Sequence, residues 1–182
     1  MLFSFFEPRQ YGKVQMTDIF RNYGAYFDAA LVNFKPRKYF IAGAPRPEEL
    51  AYILYGNTQL YWVLLMLNNV YDPWNGWITT QETAYQNAIQ KYSKVGGDQV
   101  LYHVDKKGEK WYNLVQDPDF PGHWYDKGDT AKKYLQYDGT LVPVSTLEDA
   151  VRENEKRREI QIIDPSDIDA FLSNMIREME KA

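Results

Sequence analysis

Apolar residues recur at helical spacing in several stretches of the chain and alternate at strand spacing in others. Near the C-terminus Ile168, Phe171, Leu172, Met175, Ile176 and Met179 stand three and four positions apart, which predicts an amphipathic helix with one apolar stripe. From about Gln59 to Leu67 the pattern is different. Leu60, Trp62, Val63, Leu64, Leu65, Met66 and Leu67 are apolar almost all round, so a helix there has to be buried. Just before it, Pro47 suits a first helical turn, Glu48 and Glu49 complement the positive end of a helix dipole, and Gly56-Asn57 stops a helix carrying Leu50, Ile53 and Leu54. Tyr85, Ala88, Ile89 and Tyr92 predict another helix from Thr80 to about Lys91, with Thr80 as its cap.

Strand signals are shorter. Arg37 to Ile41 is β-prone and closes at Gly43-Ala44-Pro45, and Glu159 to Ile163 alternates before ending at Asp164-Pro165. Val100 to Val104 and Lys110 to Val115 flank Asp105-Lys106-Lys107-Gly108-Glu109, a hairpin pattern. Gln116 to Tyr137 is rich in Asp, Pro, Gly and aromatics and reads as an ordered loop held by Phe120, Trp124 and Tyr125. Ser145-Thr146-Leu147-Glu148 fits a capping box that opens a very polar helix running to about Arg158. At the N-terminus, Phe3, Phe5 and Phe6 precede Thr17, read as the cap of a short helix carrying Ile19, Phe20 and Tyr23.

A strand, two helices and a buried second helix call for a closing strand beside the first. The best one is Glu159 to Ile163, more than a hundred positions away. Loop-closure cost grows slowly with length, so a long insertion between them is tolerable. The expected fold is therefore α+β: a strand–helix–helix–strand core with a long insertion of a helix plus a β-hairpin, and helical extensions at both ends. The expected divisions are an N-terminal arm over 1–36, a core over 37–79 and 159–164, the insertion over 80–158, and the C-terminal amphipathic helix over 165–182.

Composition narrows the chemistry. There is no cysteine, which excludes disulfides, thiolate-bound zinc and thiol catalysis. A formal net charge of -4 gives no basic excess for holding nucleic acid by its phosphates. The longest apolar stretch, Leu60 to Leu67, is far below the roughly 18 residues of a membrane span, and Met1 to Pro8 lacks the make-up of a secretory signal. His103 and His123 are the two histidines and lack the His-x-x-x-His spacing of a metal site. No Walker loop, dinucleotide fingerprint or nucleophile elbow occurs. The expectation is a chain with no enzymatic activity and no cofactor. Aromatic residues make up 16%, a level that fits either a heavily packed core or heavily contacted surfaces. The C-terminal stripe has the same two fates, its own core or a partner. The second makes Phe171, Met175 and Met179, with Phe3, Phe5 and Phe6 of the arm, the candidate protein-interface residues. It also expects truncation before Pro165 to leave a soluble chain.

Leu50, Ile53, Tyr55, Gly56, Trp62, Leu65 and Asn68 match the LysM pattern, in which a first helix ends at Tyr-Gly and a second at Asn. More of the chain resembles the baseplate wedge protein 53 family of T-even-like contractile-tailed bacteriophages. The resemblance is carried by Met16 to Tyr23, Pro45 to Leu50, Leu60 to Met66, Gly76 to Thr79, Val95 to Gln99, Trp124 to Asp129 and Asn154 to Lys156, in constant order. The segment between Pro8 and Met16 is shorter than the family pattern. The resemblance implies a structural protein of the virion tail baseplate, assembled in the host cytoplasm. It would bind other wedge subunits and join neighbouring wedges around the hub in a six-fold assembly, without nucleic acid or membrane partners. The LysM match leaves a second reading open, a module that binds the N-acetylglucosamine glycans of peptidoglycan.

Overall fold

In chain order the computed structural model, which describes residues 8–17 and 22–181, opens with strands β1 (Pro8–Tyr11) and β2 (Val14–Thr17), helix α1 (Tyr23–Leu31) and strand β3 (Arg37–Phe40). Helices α2 (Pro47–Tyr55), α3 (Tyr61–Leu67) and α4 (Pro73–Gly76) follow, with a 3-10 turn at Thr58–Leu60 leading into α3. Next come α5 (Gln81–Tyr92) and strands β4 (Val100–Val104), β5 (Lys110–Trp111), β6 (Leu114–Gln116), β7 (His123–Asp126), β8 (Leu135–Asp138) and β9 (Val142–Ser145). Helix α6 (Thr146–Lys156), β10 (Glu159–Ile162) and α7 (Ile168–Glu180) complete the chain. The architecture is α+β. The chain divides into one unit made of everything up to Thr79 together with Arg157 onward, and a second unit over Thr80–Lys156.

The first unit is organised around α3. Pro47 starts α2, the Glu49 carboxylate accepts from the Arg46 backbone N–H at 2.8 Å, and Gly56 ends the helix at φ 68° with its N–H on the Tyr52 carbonyl. The Asn57 side chain then accepts from Gln59 N–H at 2.9 Å and turns the chain into α3. Helix α3 is apolar all round because two clusters claim its two sides. Trp62 and Val63 pack with Phe27 of α1 and Phe171, Met175 and Met179 of α7. Leu64 packs with Ile41, Leu50, Trp77, Ile160 and Ile162 around the strands.

Strands β3 and β10 pair antiparallel, Tyr39 opposite Ile160 and Arg37 opposite Ile162. The outer edge of β10 is closed by a side chain. Asn68, just after α3, donates to the Gln161 carbonyl at 2.8 Å and accepts from the Gln161 N–H at 2.7 Å, as a neighbouring strand would. Tyr55 reaches from the end of α2 to donate to the Ile163 carbonyl at 3.2 Å, and burial pushes its phenol up to about 12.

Three expectations about this unit are corrected. Thr17 lies in β2 opposite Pro8, the described helix α1 starts at Tyr23 with Asn22 accepting from the Ala25 N–H at 3.3 Å, and Ile19 and Phe20 lie outside the described residues. The N-terminal segment is therefore not purely helical. The C-terminal helix is not an extension either. Of its six stripe residues Ile168, Phe171, Met175 and Met179 are buried, Leu172 is half-buried and Ile176 is exposed, and Phe171 meets Phe27 and Phe34 edge-on at 5.1 and 5.7 Å.

The second unit holds two three-stranded antiparallel sheets, ordered β5-β4-β9 and β6-β7-β8, with α5 and α6 packed on each other. This corrects the expected helix plus hairpin. The run from Lys110 to Val115 is two strands, since β5 pairs with β4 while β6 pairs with β7. Asn113, at φ 59°, sits at the break. The expected loop from Gln116 contains β7 and β8. Its anchor is Trp124, buried with Leu114 and Leu141 and donating from Nε1 to the Gly139 carbonyl at 2.9 Å, whereas Phe120 is exposed. Half of the expected capping box forms. Ser145 Oγ accepts from the Glu148 N–H at 3.3 Å, but the Glu148 carboxylate turns to Arg152 at 2.7 Å. Asp98 of the Gly-Gly-Asp turn also reaches this helix start, accepting from the Leu147 N–H and the Thr146 hydroxyl.

Candidate functional site

The six residues expected at an interface divide into two groups. Phe3, Phe5 and Phe6 lie outside the described residues. Phe171, Met175 and Met179 are core side chains of the first unit, packed by α1 and α3, and present no free area to a partner. The stripe looked available because its periodicity is the same whether a helix covers its own domain or another.

The two histidines and the acidic groups of the second unit are held in local structural work. Asp105 accepts from the N–H groups of Lys107 and Glu109 at 2.8 and 2.9 Å and shapes the β4–β5 turn. His103 lies opposite Trp111 with its ring 4.7 Å from that of Trp124, and burial, reinforced by the Lys127 ammonium, holds its pKa below the usual imidazole range. His123 stacks on Phe120 at 5.8 Å and has Nε2 3.8 Å from Asp138. Lys132 pairs with the nearly buried Asp117 at 2.7 Å beside a hollow of about 160 Å³ lined by Val115, Tyr125 and Thr130. That lysine holds the Asp117 carboxyl below the ordinary range. Among the described residues no group of three or more His, Asp or Glu could hold a metal ion.

What the surface offers is exposed apolar area on stiff frames. After α3, the Asp72 carboxylate accepts from the Trp74 N–H at 3.0 Å and the Asn75 amide at 2.6 Å, and Gly76 N–H bonds the Asp72 carbonyl at 2.7 Å. Gly76 is also packed so closely that an added Cβ would lie 2.9 Å from Val70 Cγ1. On this fastened turn Tyr71 and Trp74 are 89% and 87% exposed. Tyr52 and Ile53 are exposed on α2. In the second unit Val115 and Leu135 flank Tyr125 in one cross-strand row on the face of β6-β7-β8 opposite Trp124, and both are exposed. The Tyr71 to Trp77 stretch is rich in turn-forming residues, which by themselves do not mark its rings as exposed. The Asp-Pro-Trp order, an aromatic in the first turn of a four-residue helix, was the available signal.

The chain is thus an α+β protein of two separately cored units whose described surface bears large aromatic and aliphatic side chains on hydrogen-bonded turns and sheet faces. It belongs to the family described as base plate wedge protein 53, which it matches over residues 1–178. It is similar to the baseplate wedge protein gp53 of Enterobacteria phage T4, with 57% identity over 191 residues, covering 100% of this chain and 97% of that one.

Proposed function

We propose that this chain is a structural component of a phage tail baseplate wedge and acts by binding other wedge subunits, joining neighbouring wedges as the baseplate closes around its hub. The single observation that carries the reading is the family match along almost the entire chain, together with the wedge relative of nearly equal length. The geometry supports a binding role. Exposed aromatics such as Tyr71 and Trp74, carried on a backbone turn that is hydrogen-bonded at Asp72, offer the large contact area typical of the anchoring residues of interfaces. The core that carries them is read as LysM-like: β3, α2, α3 and β10 in strand–helix–helix–strand order, with Asn68 at the end of the second helix. In the assembled tail several copies occupy equivalent positions in a six-fold ring, the protein is carried in the virion, and assembly takes place in the host cytoplasm.

The test is reconstitution. Purified protein is mixed with purified wedges assembled without it, and ring closure is scored by electron microscopy. Closed rings only when the protein is present are the expected result. Wedges that neither bind it in co-sedimentation nor close in its presence would overturn the reading.

A further inference from the structure

The ribbon β1–β2 has an unusual position in the energetics of this chain. Every described side chain from Pro8 to Met16 is exposed. The strands pair Arg9 with Met16 and Tyr11 with Val14, so these four residues share one face. On that face Tyr11 is 80%, Val14 61% and Met16 56% exposed. Gly12, at φ 64°, supplies the positive backbone angle that a two-residue turn between twisted strands requires. Both strands keep an outer edge with no strand beside it among the described residues. A two-stranded ribbon of four residues a side, with no third strand beside it among the described residues, is marginal in water. The local charge also runs against the chain: residues 8–17 contain Arg9 and Lys13 and no acidic residue, within a chain of net charge -4.

We infer that the β1–β2 ribbon is a docking element completed by another protein of the baseplate, one that offers an apolar groove or open strand edge rimmed with carboxylates. The inference rests on the proposed wedge-binding role and names the part of this chain that carries it. The apolar face of Tyr11, Val14 and Met16 fills the groove. The free strand edge extends the partner's sheet, and Lys13 at the tip meets its acidic rim. A symmetric contact between two copies of the ribbon is disfavoured, since residues 8–17 contain no carboxylate to meet the cationic tip at Lys13.

The experiment uses the full-length protein, purified wedges assembled without it, and two variants: the triple substitution Tyr11→Ser, Val14→Ser, Met16→Ser, and Lys13→Glu. The triple variant should unfold at the parent's temperature, as no core residue is changed, and bind wedges about tenfold more weakly or worse. Lys13→Glu should also weaken binding and make it less sensitive to salt. Backbone amides of residues 10–16 should exchange rapidly in the free protein and slowly in the wedge complex. Triple-variant binding within about twofold of the parent, or equally fast exchange in the complex, overturns the ribbon assignment while leaving the wedge role standing. A lowered unfolding temperature of the triple variant overturns it too, by showing that the ribbon packs on its own chain. Self-association lost in the triple variant would overturn the choice of a different protein as partner. If the parent itself fails to bind wedges, the functional reading falls first and the ribbon inference with it.

Discussion

Asn68 carries three hydrogen bonds on one side chain: to the Leu64 carbonyl at 2.8 Å, and to both backbone groups of Gln161. It ends α3 and closes the edge of β10 with the same amide, so its removal leaves a strand edge open and the Leu64 carbonyl with only the backbone N–H of residue 68, at 3.3 Å. Asn68→Ala should cost about 1–3 kcal/mol of stability in urea unfolding. Asn68→Asp should be similarly harmful, because a carboxylate cannot donate to the Gln161 carbonyl. His103 gives a residue-scale prediction for the second unit. Its folded pKa lies below the ordinary value of about 6.5, so the neutral ring is the form the fold favours. The associated stability is complete above the unfolded value and is lost as pH falls below it, where the unfolded chain binds the extra proton. Thermal unfolding of the parent should therefore show a midpoint that falls as pH drops below about 6.5, and His103→Gln should flatten that slope. Asp98 and Asp117, held below the ordinary carboxylate range by Ser145 and Lys132 respectively, stay ionised where that fall begins and do not produce the effect. None of this was legible in the sequence beyond the Asn68 stop signal, since the partners of Asn68 and His103 come from strands far along the chain or across a sheet.

Elements were legible where the signal is local. The Pro47 start, the Gly56 stop and the Thr80 cap of α5 act within one turn, and each stands where the pattern put it. Where an outcome depends on what lies opposite, the pattern failed more often, although the need to close a strand–helix–helix core did place Glu159 to Ile163 beside Arg37 to Ile41, as β10 and β3 pair. The strands β7 and β8 are irregular, with a register shift between Trp124 and Tyr125, and their turn residues imitate a loop. The stripe of α7 shows the same ambiguity at the scale of a helix. Its burial reverses the expectation for truncation: a chain ending before Pro165 loses Ile168, Phe171, Met175 and Met179 and uncovers Phe27 and Trp62. It should aggregate or fail to unfold cooperatively. A graded version is Phe171→Ala, which should cost about 3–5 kcal/mol by chemical denaturation, since Phe27 and Phe34 meet that ring from α1 and the segment after it. A soluble, cooperatively unfolding truncation would return the helix to its reading as an extension.

At the scale of the molecule the two places where the second unit leaves and rejoins the first are each closed locally. On the side of the first unit, Arg157 donates to the Trp77 carbonyl at 3.5 Å, two residues before Thr79. On the side of the second, the Gln81 amide at the start of α5 donates to Glu155 at the end of α6 at 3.2 Å. Both ends of the Thr80–Lys156 segment therefore emerge side by side, the geometry in which a segment can be removed without stretching what remains. The strand partnership of β3 with β10 and the two clusters on α3 draw no residue from that segment. Replacing residues 80–156 by a short Gly-Ser linker should thus leave a folded first unit, with a cooperative urea transition and slow exchange at Tyr39 and Ile160. The shorter closing loop also reduces the entropy cost of pairing β3 with β10, by about 0.6 kcal/mol per halving of length. The deletion should therefore remove the surfaces of the second unit, including the Val115 and Leu135 row, without lowering the stability of the first. A deletion variant lacking a cooperative transition would mean that the first unit needs the second to fold.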